Sequence, residues 1–459
     1  MKRIERDVLG EVEIDDSCYY GVNTARAVDN FRISGLRADA DHIISMVTIK
    51  EAAAIANWKG GRLSEDRKDA IVKACERIRA GELHDQFVID VYQAGAGTSF
   101  NMNANEVIAN LALTIAGRKK GEYEYIHPND HVNMSQSTND AFPTMMRITA
   151  VKKAHRLRDE VEMLIDSFKK KAQEFKDVVK PGRTHLQDAA PVTLGLEFSA
   201  WAYTMEKNMR ELDSAIDYLM ELNIGGTAVG TGINTSPPNY KHNVVAEISR
   251  ITGYNFRESD NLPGIMEFMT DFSRLMNAVT NMALDINKIS NDIRLLYSGP
   301  GAGLHEITIP AVQQGSSIMP GKVNPSIAEA MNMICHSVIG AQQAVNFSVQ
   351  AGGQLELNVM MPNIDYELSR SLDIMRNGLR MFRTKLIDGI QANREACKEH
   401  LSKSFGSAAL LNPYLGYDSV AKIVMESLHT GKSIKELALA TGKITEKQFD
   451  EIMSSGIPK

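Results

Sequence analysis

The chain has 459 residues, a formal net charge of −6, an apolar fraction of 43% and an aromatic fraction of 6%. At roughly 100–200 residues per domain, this length predicts two to four domains. The mildly acidic charge argues against a nucleic-acid-binding protein, which would carry a basic stripe. No apolar run reaches the roughly 18 residues that a membrane span needs, so no membrane partner is expected.

The N-terminal residues and the cysteines bear on the location of the protein. Residues 1–7 contain no apolar core of a signal peptide. The four cysteines lie far apart, in neither a zinc spacing nor a dense disulfide framework. Reduced thiols in a cytoplasmic protein are the simplest interpretation.

The first predicted elements lie between residues 1 and 116. Residues 1–40 are mixed and turn-rich, which predicts irregular or extended chain. Apolar spacing predicts helices over 43–57 and 65–80, with Ser64 as the N-cap of the second. Residues 93–105 then crowd Thr, Ser and three Asn before a helix predicted over 106–116. An N-cap needs only one such residue. The sequence therefore leaves open whether this stretch is a loop with a cap or a functional segment.

A second polar stretch covers residues 127–140. His127 and His131 have a spacing that could suit a metal, but Pro128 lies between them and no Cys or Glu partner is near. No metal site is therefore expected. The hydroxyl and amide groups of residues 133–139 better suit a small oxyanion, which neutral donors can bind.

The middle of the chain consists of long amphipathic segments. The helix predicted over 265–297 would be roughly 50 Å long, and such a length implies a bundle that packs against other subunits. A glycine-rich stretch at 225–232 lacks the Lys-Ser/Thr of a phosphate loop and no strand pattern precedes it. His185 lies in a polar interruption at 181–187. The sequence leaves open whether its role is structural or functional. The other helices are predicted over 159–175, 197–222, 328–350 and 366–386.

Residues 315–325 form the most unusual stretch, Gly-Ser-Ser-Ile-Met-Pro-Gly-Lys-Val-Asn-Pro. Its two glycines and two prolines exclude a regular helix or strand. The amides of Ser316 and Ser317 follow a glycine and can form a concavity for an anion, beside the charge of Lys322. Loop composition alone leaves open a flexible connection and a catalytic loop. Beyond residue 393 the helices become short, which predicts a small terminal domain.

Five segments together resemble the signature regions of the aspartase/fumarase superfamily, in order and over almost the whole chain. Within it the sequence is most similar to the aspartate ammonia-lyases. Thr138 stands where fumarases usually carry Ser, Tyr19 to Val22 replace a usual Trp-Gly, and the tail at 433–437 is aspartase-like. The five segments are residues 95–99, 135–140, 182–188, 315–325 and 356–359.

The resemblance implies a mostly all-α subunit of three domains. These would be a mainly helical N-terminal domain at 1–139, a central long-helix bundle at 140–393 and a small helical C-terminal domain at 394–459. Long central helices would form a common core in a homotetramer, with each active site assembled from three subunits.

The implied reaction is the reversible elimination of ammonia from L-aspartate to give fumarate, through an enediolate and with no cofactor or metal. The resemblance makes Ser316 the general base and adds His185 and Lys322 to the catalytic set. Glu329, which would orient His185, and Gln187 would support the site. The residues implied to bind the substrate are Thr98, Ser99, Ser137, Thr138, Asn139, Thr184, Ser317 and Asn324.

Two departures from the usual aspartase pattern leave alternatives open. Met361 stands where aspartases usually have Glu, and residues 326–328 differ from their usual Val-Met/Ile-Pro. The alternatives are a fumarate hydratase, a lyase of the same superfamily acting on another amino acid or betaine, and a structural protein that keeps the fold without catalysis.

Overall fold

The computed structural model describes residues 2–235 and 239–455. In this part of the chain helices dominate, and the strands form only two-stranded ribbons. The predicted all-α class is therefore confirmed. Within the same ranges, no helix is both long enough and apolar enough to cross a membrane.

The longest helix has 37 residues, and the helices after residue 393 are short. The α-helices are α1 (Val22–Asn30), α2 (Ala40–Lys59), α3 (Glu65–Arg79), α4 (Thr98–Ile115), α5 (Thr138–Glu174), α6 (Leu194–Leu219), α7 (Tyr240–Thr252), α8 (Leu262–Glu267), α9 (Thr270–Tyr297), α10 (Ser326–Ala351), α11 (Met361–Lys385), α12 (Arg394–Lys403), α13 (Asn412–Leu415), α14 (Tyr417–Thr430), α15 (Ile434–Ala440) and α16 (Glu446–Ser455).

The strands pair as β1 with β2, β3 with β4, β5 with β6, β7 with β10 and β8 with β9. All these pairs are antiparallel except β5 with β6, which is parallel. The strands are β1 (Lys2–Asp7), β2 (Gly10–Asp15), β3 (Val179–Thr184), β4 (Gln187–Thr193), β5 (Glu221–Leu222), β6 (Arg257–Glu258), β7 (Ile307–Thr308), β8 (Gly353–Gln354), β9 (Leu357–Asn358) and β10 (Gln391–Ala392).

The chain divides into two compact units. The first contains Met1–Arg158, Arg210–Asn281 and Ser337–Met375. The second contains Asp159–Met209, Met282–His336 and Arg376–Lys459. Helices α5, α6, α9, α10 and α11 each have residues in both units.

Helix α2 lies at the centre of the first unit, where it packs against α3, α4 and α7. Ala52 and Ala53 of this helix are completely buried and allow neighbouring helices to approach closely. The Asp39 carboxylate caps its start by accepting from the amides of Asp41 and His42 at 2.9 and 3.2 Å. The helix predicted over 43–57 is thus confirmed and extends further at both ends.

The N-terminal region differs from the prediction because a distant carboxylate supports a helix there. Residues 22–30, predicted as irregular, form α1. Glu106, which is buried, accepts hydrogen bonds from the amides of Gly21, Asn23 and Thr24 at 2.8, 2.9 and 3.1 Å. These amides have no partner within the helix, and Glu106 satisfies them from more than 80 residues away. Local sequence could not reveal that partner.

One further predicted boundary was wrong. The segment predicted as one helix over 265–297 breaks at Phe268, whose backbone is extended, so α9 begins only at Thr270. Its 28 residues span about 42 Å. The predicted interruption at 181–187 is confirmed, and it belongs to the β3–β4 hairpin.

A buried ionic cluster joins α2 to α11 in the first unit. The ring of His42 lies with Nδ1 2.7 Å from an Asp39 oxygen and Nε2 3.1 Å from both an Asp365 oxygen and the Ser369 hydroxyl. Burial disfavours the charged ring, but Asp365 and Asp39 outweigh it and raise the pKa of His42 to about 10. His42 is therefore an imidazolium at neutral pH. It cannot take a proton from Ser369, which excludes a serine–histidine–aspartate triad here.

We predict that His42→Gln lowers the free energy of unfolding more at pH 6 than at pH 10. The raised pKa gives a stabilisation that is complete below the unfolded value near 6.5 and is lost as pH rises through about 10. Urea unfolding at several pH values between 6 and 10 measures this. His242→Gln is the control, since that exposed ring pairs only with Glu258 at the surface and should change stability by about 1 kcal/mol or less. A difference that stays constant with pH would show that folded His42 is neutral.

Candidate active site

The start of α4 and the start of α5 lie side by side in the first unit. The side-chain amide of Asn101 in α4 donates to Thr138 Oγ1 in α5 at 3.0 Å, and the rings of Phe100 and Phe142 pack at 6.4 Å. Helix N-termini carry unpaired amides and a partial positive charge. Two such ends together form a site suited to a carboxylate.

Helix α4 begins earlier than predicted, so the polar residues of the first stretch belong to the helix itself. Gly97 precedes it with φ +79°, and a Cβ there would lie 2.2 Å from the Phe142 ring, so only glycine fits. Thr98 starts the helix and is exposed, whereas Ser99 is buried. Of these two predicted substrate-binding hydroxyls, Thr98 is the one that faces solvent.

The residues that begin α5 present half-buried polar groups. Ser137 Oγ accepts from the Asn139 amide at 3.2 Å and so caps the helix. The Asn139 side-chain amide donates to the Ala228 carbonyl at 2.8 Å. The Asn139 side-chain oxygen therefore faces the other way and is an acceptor.

The glycine-rich stretch at 225–232 binds an anion that belongs to the chain. The Asp140 carboxylate, which is completely buried, accepts from the amides of Gly225 and Thr227 at 3.1 and 2.9 Å, and from that of Ser137 at 2.9 Å. Burial raises the pKa of Asp140 to about 7, and the three amides oppose that rise. The loop thus fixes the start of α5 instead of holding a phosphate.

Thr184, His185 and Gln187 lie at the tip of the β3–β4 hairpin in the second unit. Thr184 is paired with Gln187, which leaves His185 and Leu186 as a two-residue turn. Both have left-handed backbones, with φ +55° and +59°, as a type I′ turn requires. Asn and Gly usually occupy such a turn, and Leu186 is 71% exposed. A strained, exposed His–Leu tip indicates a functional requirement rather than one of stability.

Glu306, which sequence reasoning missed, anchors the base of this hairpin. Its completely buried carboxylate contacts Arg183 at 2.7 Å, His400 at 2.9 Å and Lys180 at 3.1 Å. Burial raises the pKa of Glu306, but Arg183, Lys180 and His400 outweigh burial and lower it. Arg183 and Glu306 are 123 residues apart, so no local pattern could have indicated the pair.

The loop at 315–325 contains neither helix nor strand, as its composition predicts. Ser316 Oγ accepts hydrogen bonds from the amides of Ile318 and Met319 at 3.2 and 3.0 Å. Two amide donors on one hydroxyl oxygen favour its deprotonated form.

The same loop is closed by its own polar groups. The Asn324 side-chain amide donates to the Gly315 carbonyl at 2.7 Å, and the Tyr297 hydroxyl donates to the Val323 carbonyl at 3.0 Å. A Cβ on Gly315 would lie 2.1 Å from the Lys322 carbonyl oxygen, so glycine is required. Asn324, predicted to bind the substrate, therefore also shapes the loop.

The other predicted site residues of the second unit lie in the loop and in α10. Ser317 and Lys322 are exposed, and Glu329 is half-buried in the first turn of α10. Among the described residues of the second unit, no hydrogen bond joins Glu329 or the loop to His185. The first unit thus brings together the α4 and α5 part of the predicted site, and the second unit brings Thr184, His185 and Gln187 to one hairpin tip.

Met361, which departs from the usual aspartase pattern, is not exposed to solvent. Its side chain is completely buried in the first turn of α11, and Ala328 is likewise buried in α10. The Met361 side chain thus contributes to packing.

The histidine pair of the second polar stretch has a structural use. His127 Nδ1 accepts from the amides of Asn129 and Asp130, and His131 Nδ1 accepts from the His127 amide at 2.8 Å. In residues 2–235 and 239–455, no group of three or more His, Cys, Asp or Glu side chains is placed to hold a metal.

We predict that Glu306→Gln lowers the free energy of unfolding by about 3–5 kcal/mol, because Arg183 loses its buried counter-charge, while Lys180 keeps Glu197. Chemical denaturation at neutral pH measures this. The control is Glu399→Gln, which removes an exposed pair with Lys403 and should cost about 1 kcal/mol or less. Equal small effects of the two variants would contradict the anchoring role of Glu306.

Known proteins are similar to this chain over nearly its whole length. The family model described as "Lyase" matches residues 10–340, and the model "Fumarase C C-terminus" matches residues 408–455. An aspartate ammonia-lyase of Bacillus subtilis strain 168 is 44% identical over 452 residues, covering 98% of this chain and 95% of the relative. The aspartate ammonia-lyase of Escherichia coli K12 is 43% identical over 458 residues, with coverages of 98% and 95%.

Solved structures share the fold over nearly the whole chain. A fumarate lyase:delta crystallin of Brucella melitensis has a TM-score of 0.95 and 41% identity, covering 99% of each chain. A class II fumarase from Schistosoma mansoni has a TM-score of 0.94 and 34% identity, covering 99% of this chain and 98% of that one.

Proposed function

Because the chain belongs to the lyase family of the aspartase/fumarase superfamily, we propose that it is an ammonia-lyase that reversibly eliminates ammonia from L-aspartate to give fumarate. The observation that carries this is its 43–45% identity to aspartate ammonia-lyases over 98% of the chain. The geometry of the site supports the same chemistry.

Elimination from aspartate requires the removal of a very weakly acidic proton next to the side-chain carboxylate. The resulting enediolate carries two negative charges on the former carboxylate, so donors aimed at that charge lower the barrier. The adjoining ends of α4 and α5 supply such donors with Thr98, Ser137 and Thr138. We assign this carboxylate to them, together with Ser317.

Ser316 is the proposed general base. Its Oγ would take the proton, and the electrons of the broken C–H bond form the enediolate, which collapses to fumarate as the C–N bond breaks. The amides of Ile318 and Met319 on Oγ support this role. Lys322 is the nearby cation in the same loop and completes the catalytic set with His185.

The remaining predicted residues divide between the two ends of the substrate. Asn139 has its side-chain oxygen turned away from Ala228, which suits a substrate ammonium, and His185 is assigned to the same group. Gln187 and Glu329 are assigned to support the hairpin tip. The residues assigned to the other carboxylate are Thr184, Lys322 and Asn324.

We propose that the enzyme is a homotetramer whose active sites combine segments of three subunits. Large apolar side chains are exposed on the long helices, including Tyr203 on α6, Leu284 on α9 and Phe347 on α10. Exposed apolar surface on long helices fits burial against further copies. The exposed residues of the hairpin tip and of the loop fit the same arrangement.

The three-domain division at 1–139, 140–393 and 394–459 is also a proposal. A separate apolar cluster that includes Leu411, Leu437 and Ile452 supports the small C-terminal domain. A cytoplasmic location is proposed on the basis of the four free thiols, which suit a reducing compartment.

Fumarate hydration is the second candidate, favoured by the 34% identity to a class II fumarase. A different amine substrate has less support, because Met361 is buried and does not face solvent.

We predict that the purified protein releases fumarate from L-aspartate and not from L-malate. Ultraviolet absorbance of fumarate, with each substrate in parallel, measures this. Dialysed protein and a no-enzyme control account for background ultraviolet absorbance. Turnover of malate without turnover of aspartate would replace the proposed reaction by fumarate hydration.

We predict that Ser316→Ala lowers kcat by about a thousandfold or more, because a reacting group is lost. The oligomeric mass and the unfolding midpoint should stay unchanged, since Ser316 lies in a loop. Steady-state kinetics and light scattering measure these. Ser402→Ala, a change at an exposed serine in α12, is the control and should keep full activity. Full activity in Ser316→Ala would remove Ser316 from the mechanism.

A further inference from the structure

Lys50 is completely buried in α2, beneath the adjoining ends of α4 and α5. Its ammonium donates to Asn101 Oδ1 at 2.7 Å, to Asn133 Oδ1 at 2.8 Å and to Gln136 Oε1 at 3.0 Å. An ammonium has three donors, and here three neutral amide oxygens occupy them. Burial lowers the pKa of Lys50 to about 7, while Asp140 opposes that shift. Burying a lysine in this way is energetically costly, which indicates that it has a function.

The lysine fixes which way the Asn101 amide faces. The Asn101 oxygen faces Lys50 at 2.7 Å and the nitrogen faces the other side. The ammonium form of Lys50 only donates, so it holds the amide in this orientation. On that side the nitrogen donates to Thr138 Oγ1 at 3.0 Å and lies 3.3 Å from Asn133 Oδ1.

The direction of the Asn101 amide in turn fixes the role of the Thr138 hydroxyl. Because Thr138 Oγ1 accepts from Asn101, its own proton must point elsewhere. Within the part of the chain that the structure describes, Thr138 Oγ1 donates to no protein acceptor. The half-buried hydroxyl is therefore free to donate outward, at the N-terminus of α5.

We propose that Lys50 and Asn101 are positioning residues that direct the Thr138 hydroxyl proton toward the substrate carboxylate that becomes the enediolate. This rests on the proposed function, because it assumes that Thr138 binds that carboxylate. A hydroxyl aimed in advance at developing charge lowers the barrier without reorganisation in the transition state. Neither Lys50 nor Asn101 needs to touch the substrate.

Asn101→Asp tests the proposal with little change in shape. The new carboxylate still accepts from Lys50, so the unfolding midpoint should not fall. Its second oxygen would face Thr138 as an acceptor and would attract the hydroxyl proton inward. We predict a roughly hundredfold fall in kcat/KM for aspartate, mainly in kcat, because the lost bond strengthens as charge develops.

A double-mutant cycle with Thr138→Val separates this effect from simple charge repulsion. In the Thr138→Val background no hydroxyl remains to be redirected. Adding Asn101→Asp there should lower kcat/KM further by less than about threefold. Asn103→Asp is the matched control, a new carboxylate in the same helix whose present side chain binds Val88 and Gln86. Its effect on kcat/KM should be the same with Thr138 and with Thr138→Val.

An equal loss from Asn101→Asp in both backgrounds would overturn the proposal, because the effect would then not pass through the hydroxyl. Failure of the proposed function looks different: the wild-type chain would not turn over aspartate. The affinity for succinate, measured by calorimetry in the same four proteins, gives a readout without turnover. Because the predicted loss falls mainly on kcat, Asn101→Asp should weaken succinate binding much less than it lowers kcat/KM, and any weakening should require Thr138. A weakening that does not require Thr138 overturns the proposal.

Discussion

The carboxylate of Asp140 sets the geometry on which the first unit's part of the site depends. It collects amides from the start of α5 and from the glycine-rich loop more than 80 residues later. This contact holds the N-terminus of α5 in place, so that Ser137 and Thr138 are presented next to α4. The buried carboxyl group of Asp140 thus binds the backbone amides, and the hydroxyls of Ser137 and Thr138 stay available for other contacts.

Buried acids do similar work elsewhere in the chain. Glu106 satisfies the first amides of α1, and Glu306 balances the cations at the base of the β3–β4 hairpin. Each is costly to bury alone, and each is satisfied by partners that are distant in sequence. Because these contacts are specific, they fix the register of segments that apolar packing alone would leave free to shift.

The sequence was sufficient to predict the helical class, the long helices and the unusual loop at 315–325. Apolar periodicity and glycine or proline punctuation are local signals, and they report local structure well. The start of α4 was missed because its first turns are polar, yet Asn101 and Asn103 are buried by partners outside the helix. Glu306 and the capping of α1 were missed for the same reason, since their partners lie far along the chain. The roles of the predicted site residues stand as proposals.

The backbone of the site segments has a consequence for heat resistance. Ala96, Ser135 and His185 all have left-handed φ angles, of +59°, +62° and +55°, which side chains rarely adopt. Each such residue costs about 1–3 kcal/mol. This strain lowers the stability of the folded chain. In return, the polar groups are already in position before a ligand binds. At the exposed His185, replacement by asparagine or glycine should therefore raise the melting temperature, and it should slow the enzyme because the imidazole ring is lost.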